Sequence, residues 1–185
     1  MVVIVIPRIL NELLCEVGEF ESKILSLKFA ERALRACSDE LSSTHLDLAL
    51  AYIATAREFI EARVDVSELA KSHHEYFSGR DGSDRTSEDI MWVAAIAVNA
   101  IAQREMEQAH IIHKNRFKPN VLDVAKEAQK IVGQCAAKRS NFSTEQSIEA
   151  ARRARWAEVK EQLIELIGVI QYPYERETRD ENPFI

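Results

Sequence analysis

Met91 to Ala102 reads MWVAAIAVNAIA, a run of small and apolar residues with one polar interruption, Asn99. An amphipathic surface helix carries a stripe, whereas this segment is apolar nearly all round and needs neighbours on most sides. It falls short of the roughly 20 apolar residues that cross a bilayer, and charged sequence flanks it at both ends. The run therefore predicts a buried central helix, which only a helical body packed around it can cover.

The rest of the chain supplies that body. Pro7–Val17 and Glu19–Cys37 carry apolar residues in helical period, and Ser38–Thr44 is a polar break. Thr44 with Asp47 has the spacing of a capping pair and opens a helix toward Arg63. Asp65 with Glu68 opens a shorter one, and Ser78–Arg85 is a glycine-containing loop. Thr86 and Ser87 are the expected caps of the central helix, which could extend to His113. Lys114–Asn120 breaks it. Val121–Lys138 follows, and Ser143 with Gln146 forms a capping box for a last helix that Pro173 stops. The expected fold is all-α, a single-domain bundle or orthogonal array of about six or seven helices. One domain is expected over residues 1–170, with a polar, acidic tail at 171–185.

A hydrophobic fraction of 46% in 185 residues is ordinary for a globular chain and rules against intrinsic disorder. Cys15, Cys37 and Cys135 are odd in number and unrelated in spacing, the usage of reduced, buried thiols in a cytoplasmic protein. MVVIVIP lacks the basic start of a secretion signal and reads as an apolar arm packed on the body. The net charge of −6 is uneven. Residues 1–113 carry 11 basic and 19 acidic side chains, against 11 and 5 in residues 114–160. Such asymmetry marks a binding face, unless folding intermixes the charges.

The sharpest chemical candidate is EQAHIIH. If the central helix continues that far, Glu107 and His110 share a face at Glu-x-x-His spacing, as in di-iron carboxylate bundles. His113 lies on the same face, and His73 and His74 on another helix could complete a three-histidine metal site. The unit occurs once, where a di-iron site needs it twice, and the competing reading is a set of exposed side chains finishing a helix. His74 and Glu75 beside Ser72 could suggest a nucleophile and its base, but adjacent helix residues point away from one another and no oxyanion-hole loop is evident. GRDGSDR lacks the Gly-Lys-Ser/Thr of a phosphate loop and the ligand spacing of a calcium loop. No cofactor is implied.

Arg152, Arg153, Arg155 and Trp156, with Lys138 and Arg139, form the strongest basic cluster. Arg152, Arg153, Arg155 and Trp156 are the candidate partner-binding residues. The competing reading pairs them with acidic side chains of neighbouring helices. The acidic total charge and the lack of a recognition-helix module disfavour nucleic acid. Trp92 and Trp156 are expected as anchors in the core or at its edge. Asn99, inside the apolar run, is expected to bond to a polar group of an adjacent helix.

Three stretches in order carry a resemblance: Leu46–Phe77, the Ala-rich Met91–Ala102, and AARRARWAEVKEQLIELI from Ala150 to Ile167. Over roughly residues 27–167 the chain resembles an all-helical immunity-protein family of bacterial polymorphic toxin systems. That resemblance implies a non-catalytic protein that binds and blocks a cognate toxin, with no catalytic residues to transfer. Acidic faces would suit a basic toxin. The expectation is therefore a cytoplasmic helical binding module with a toxin-like protein partner and no membrane association. A metal-dependent bundle enzyme and a structural homo-oligomer are the alternatives.

Overall fold

The computed structural model describes residues 8–140 and 144–170. Among them lie seven α-helices and no strand: α1 (Arg8–Cys15), α2 (Glu19–Ala36), α3 (Ser43–Ile60), α4 (Val66–Arg80), α5 (Arg85–Gln108), α6 (Val121–Arg139) and α7 (Thr144–Val169), with a 3₁₀ turn at Ser38–Glu40. The expected all-α bundle around a central helix is what forms. The apolar arm before Arg8, the Ser143 cap and the 171–185 tail lie outside the described residues.

Helix α5 is the hub, packing on α2, α3, α4 and α6. Between Met91 and Ala102 only Trp92, Asn99 and Ala100 escape full burial. Alanine supplies the reason. Ala94, Ala95, Ala97 and Ala102 are all at most 1% exposed, and their small side chains let helices approach from several directions. Helices α3 and α4 cover one flank of the α2–α5 pair. Helix α6 covers the other and carries α7 on its outside, with α1 against α7 and α6. The buried apolar residues form one continuous cluster. No helix among the described residues is long and apolar enough to cross a membrane.

Side-chain chemistry sets the helix starts. The Ser42 hydroxyl, not Thr44, caps α3 by accepting from His45 N at 3.1 Å. Asp65 caps α4 as its spacing predicted, accepting from Ser67 N and Glu68 N. Asp84, not Thr86 or Ser87, caps α5: its carboxylate accepts from both of their backbone N–H groups. Asn120 and Asp123 form a reciprocal capping box at the start of α6.

Two ends use left-handed residues. Ala62 (φ 55°) and His110 (φ 58°) occupy the position after the helix cap. Arg63 N donates to Glu58 O and Ile111 N donates to Met106 O, both at 2.9 Å, the six-to-one bond that closes a helix of this type. Helix α5 therefore stops at Gln108, five residues short of His113.

Polar groups also lie inside the bundle. Gln129 of α6 donates to Gln162 of α7 at 2.7 Å, and Gln162 donates to Glu158 and to the Ala125 carbonyl. On the other flank, the Tyr52 and Tyr76 rings stack at 4.5 Å, and the Tyr76 hydroxyl donates to Met91 O at 2.5 Å. Burial raises the pKa of both phenols. Cys37 and Cys135 are buried, but Cys15 is exposed, contrary to expectation. Contact with Cys135, followed by burial, pushes the Cys37 thiol up.

Candidate binding surfaces

The Glu107 and His110 unit does not converge. His110 lies beyond the helix end in a left-handed conformation, so the three-residue spacing no longer places the two side chains on one face. Glu107 serves as a clasp. Its carboxylate accepts from Gln103 Nε2 at 2.8 Å and from Asn115 N at 3.1 Å, tying the following loop to the end of α5. The Asn115 N–H, followed by the Gln103 amide, holds the Glu107 carboxyl below its ordinary range. His110 and His113 are exposed.

On α4, His73 Nδ1 lies 2.8 Å from the Tyr52 hydroxyl and its ring packs on Phe77, whereas His74 is exposed. Among the described residues no group of three or more His, Cys, Asp or Glu side chains is placed to hold a metal ion. Glu107, His110, His113, His73 and His74 are therefore not brought together.

The basic cluster divides. Arg152 and Arg153 point outward, and both bond Glu149, whose carboxyl falls to about 2 through the Arg152 hydrogen bond and then that of Arg153. Arg155 turns inward against α6. A β-carbon at Gly133 would stand 2.8 Å from Arg155 Cγ and 3.3 Å from the Ala151 carbonyl oxygen, so glycine is what lets α7 lie this close. Lys138 pairs with Glu40 at 2.6 Å, and Arg139 pairs with Asp39 and donates to the Ala36 carbonyl. Much of the charge asymmetry along the chain is thus settled locally, by ion pairs to neighbouring elements.

What α7 keeps for solvent includes several large apolar side chains. Trp156, Ile164 and Ile167 are 48%, 63% and 47% exposed, and with Lys160 they follow i, i+4, i+8, i+11 spacing along one stripe. Ala151, Val159 and Leu166 face inward. The helix is apolar on two sides, and α6 takes only one of them. Trp156 is thus no core anchor. Trp92 likewise reaches the surface, where the Arg80 guanidinium lies over its ring at 5.3 Å.

A second feature is a cleft of about 520 Å³ between the α1–α2 corner, α5 and the start of α6. Asn99 and Gln103, one turn apart on α5, line it. Both side-chain carbonyl oxygens are buried, and among the described residues neither receives a hydrogen bond. Asn99 was expected to find a partner on an adjacent helix, and its oxygen has none. Gln103 was not singled out from the sequence, although its i+4 spacing from Asn99 puts the two amides on one face and is the signal that could have found it.

No family model matches the chain, and no curated protein or solved structure matches it either.

Proposed function

We propose that the protein is a non-catalytic helical binding module that docks on a toxin-like protein through the outer stripe of α7. One observation carries this reading. Trp156, Ile164 and Ile167 stay open to solvent on a helix whose opposite face is already packed. A tryptophan ringed by long cationic side chains has the composition of a binding hot spot. Arg153 and Lys160 flank the apolar residues, so the complementary surface is an apolar pocket edged by carboxylates. The Arg152 and Arg153 pairs with Glu149 are exposed, and such pairs exchange partners at little cost. The resemblance to toxin-neutralising immunity proteins points to the same class, because those proteins act by occupying their target.

Co-expression with the product of any toxin-like gene encoded beside this one tests this. The expected result is restored growth of the host and a complex that survives gel filtration, both lost in Trp156→Asp/Ile164→Asp. Failure to rescue, or rescue untouched by that double variant, overturns the reading. So does a finding that the stripe is already covered. A dimer in light scattering that the double variant dissociates would show it occupied by a second copy. A rise in Trp156 emission wavelength on removing residues 171–185 would show it occupied by the tail.

A further inference from the structure

Two cysteines meet inside the fold. Cys37 caps the end of α2, and Cys135 lies one turn before the end of α6. Polar contacts clamp these two helix ends around the pair. Arg139, one turn after Cys135, donates to the Ala36 carbonyl at 2.7 Å and pairs with Asp39, while Lys138 pairs with Glu40 at 2.6 Å. Ala36, Asp39 and Glu40 bracket Cys37, so the clamp draws the two thiols into contact, where each is the strongest influence on the other's ionisation.

The pair is asymmetric. Cys37 is 0% exposed, whereas Cys135 is 4% exposed and lines a pocket of about 250 Å³ with Thr86, Ile90 and Lys138. Contact with Cys37 lowers the Cys135 thiol against the opposing effect of burial, and the Arg139 charge adds to the lowering. The thiolate is the species that attacks an oxidant. Cys135 is therefore the thiol that reacts, and Cys37 the one that resolves. Cys37 also stands outside regular helix, at φ −109° and ψ 14°. Its sulfur can close from contact to bonding distance without deforming a helix interior.

We propose that Cys37 and Cys135 form a reversible disulfide when the chain meets hydrogen peroxide. The Cys135 thiolate attacks one peroxide oxygen and the O–O bond breaks. Cys135 becomes a sulfenic acid, and the hydroxide released takes up the proton given off by the Cys135 thiol. The Cys37 sulfur then attacks Cys135 Sγ, the S–O bond breaks, and hydroxide leaves with the Cys37 proton as a second water. The two sulfurs together lose two electrons and the peroxide gains them. The new bond closes a loop of about 100 residues and so restricts chiefly the unfolded chain. None of these groups belongs to α7, so this proposal and the binding reading fail separately.

Peroxide treatment of the full, reduced chain under native conditions tests the proposal, read by alkylation of the remaining thiols, intact mass and peptide mapping. The expected product is a monomer two hydrogens lighter that has lost two alkylation sites, keeps exposed Cys15 alkylatable and maps to a Cys37–Cys135 link. Dithiothreitol should restore both sites. The oxidised form should melt higher than the reduced one by about 5 °C or more. Cys37→Ser, which keeps a hydrogen-bond donor beside Cys135, should stop at a Cys135 sulfenic acid that dimedone captures. Cys135→Ser should leave Cys37 unreacted. The parent chain decides the matter even if a variant fails to fold. Both thiols still alkylatable in it, a link that forms only in urea, or a link through Cys15 overturns the proposal, as does oxidation of Cys37 in Cys135→Ser.

Discussion

Arg32 grips Glu158 with two parallel hydrogen bonds, Nε to Oε2 at 3.0 Å and a terminal nitrogen to Oε1 at 2.6 Å. The pair joins α2 to α7, and its remaining nitrogen reaches Glu165 on the same helix. Glu158 is only 4% exposed. Burial alone would lower the Arg32 pKa, but the Glu158 hydrogen bond and charge, with help from Glu165, raise it instead. The bidentate geometry explains how a carboxylate can sit inside this bundle.

Removing one partner of this pair should cost far more than removing both. Arg32→Met leaves Glu158 buried with Gln162 as its remaining hydrogen-bond donor and should destabilise the protein by about 3 kcal/mol in urea titrations. Arg32→Met/Glu158→Leu should recover most of that loss, because no charge is then left buried. A single variant as stable as the parent would show that the pair contributes nothing.

Acid should weaken the α3–α4 contact through His73. Burial, followed by the charge of His74, depresses the His73 pKa below its ordinary 6.5. The unfolded chain then takes up the proton more readily than the folded one. The stabilisation is complete above pH 6.5 and is lost as pH falls toward the depressed folded value. Protonation also makes His73 Nδ1, 2.8 Å from the Tyr52 hydroxyl, a donor only. Melting temperatures should therefore decline on acidification below pH 6.5, and His73→Asn, which offers an acceptor that does not titrate, should flatten that slope. An unchanged slope in the variant would assign the decline to other groups.

Glycine should improve the two left-handed helix ends. Ala62 and His110 hold conformations that cost a residue with a β-carbon roughly 1 kcal/mol. Ala62→Gly and His110→Gly should each raise stability by about 0.5–1 kcal/mol, measured by thermal or urea unfolding followed by circular dichroism. A loss of stability in either variant would contradict the left-handed assignment.

Much of the architecture was legible because burial writes itself into periodicity. Met91–Ala102 announced the hub, and the polar breaks announced the connections. Helix ends were less legible. Ser42, Ser43 and Thr44 can all cap, as can Asp84, Thr86 and Ser87, and backbone geometry chooses among them. The end of α5 carries no glycine, so the pattern ran on past His110.

The site residues were harder to read for a related reason. At about 100° per residue Arg155 lies at one edge of the arc that Arg152, Arg153 and Trp156 occupy, so spacing alone does not say whether it faces out or in. Which of them turned inward depended on Gly133, a residue of a different helix. Gln129, Gln162 and Glu158 look like surface residues in sequence, and hydrogen bonds to one another, to Arg32 and to the Ala125 carbonyl admit them to the interior.

The layering of the bundle has a consequence for how a partner would act on the chain. Helix α5 is held by four neighbours, whereas α7 leans chiefly on α6, with smaller contacts to α1 and α2. Helix α7 can then detach in a partial opening that leaves the central layer closed, and its amides should exchange with solvent before those of α5. A protein seated on the outer stripe of α7 would oppose that opening by mass action. Its capture and the protection of α7 would be a single linked equilibrium.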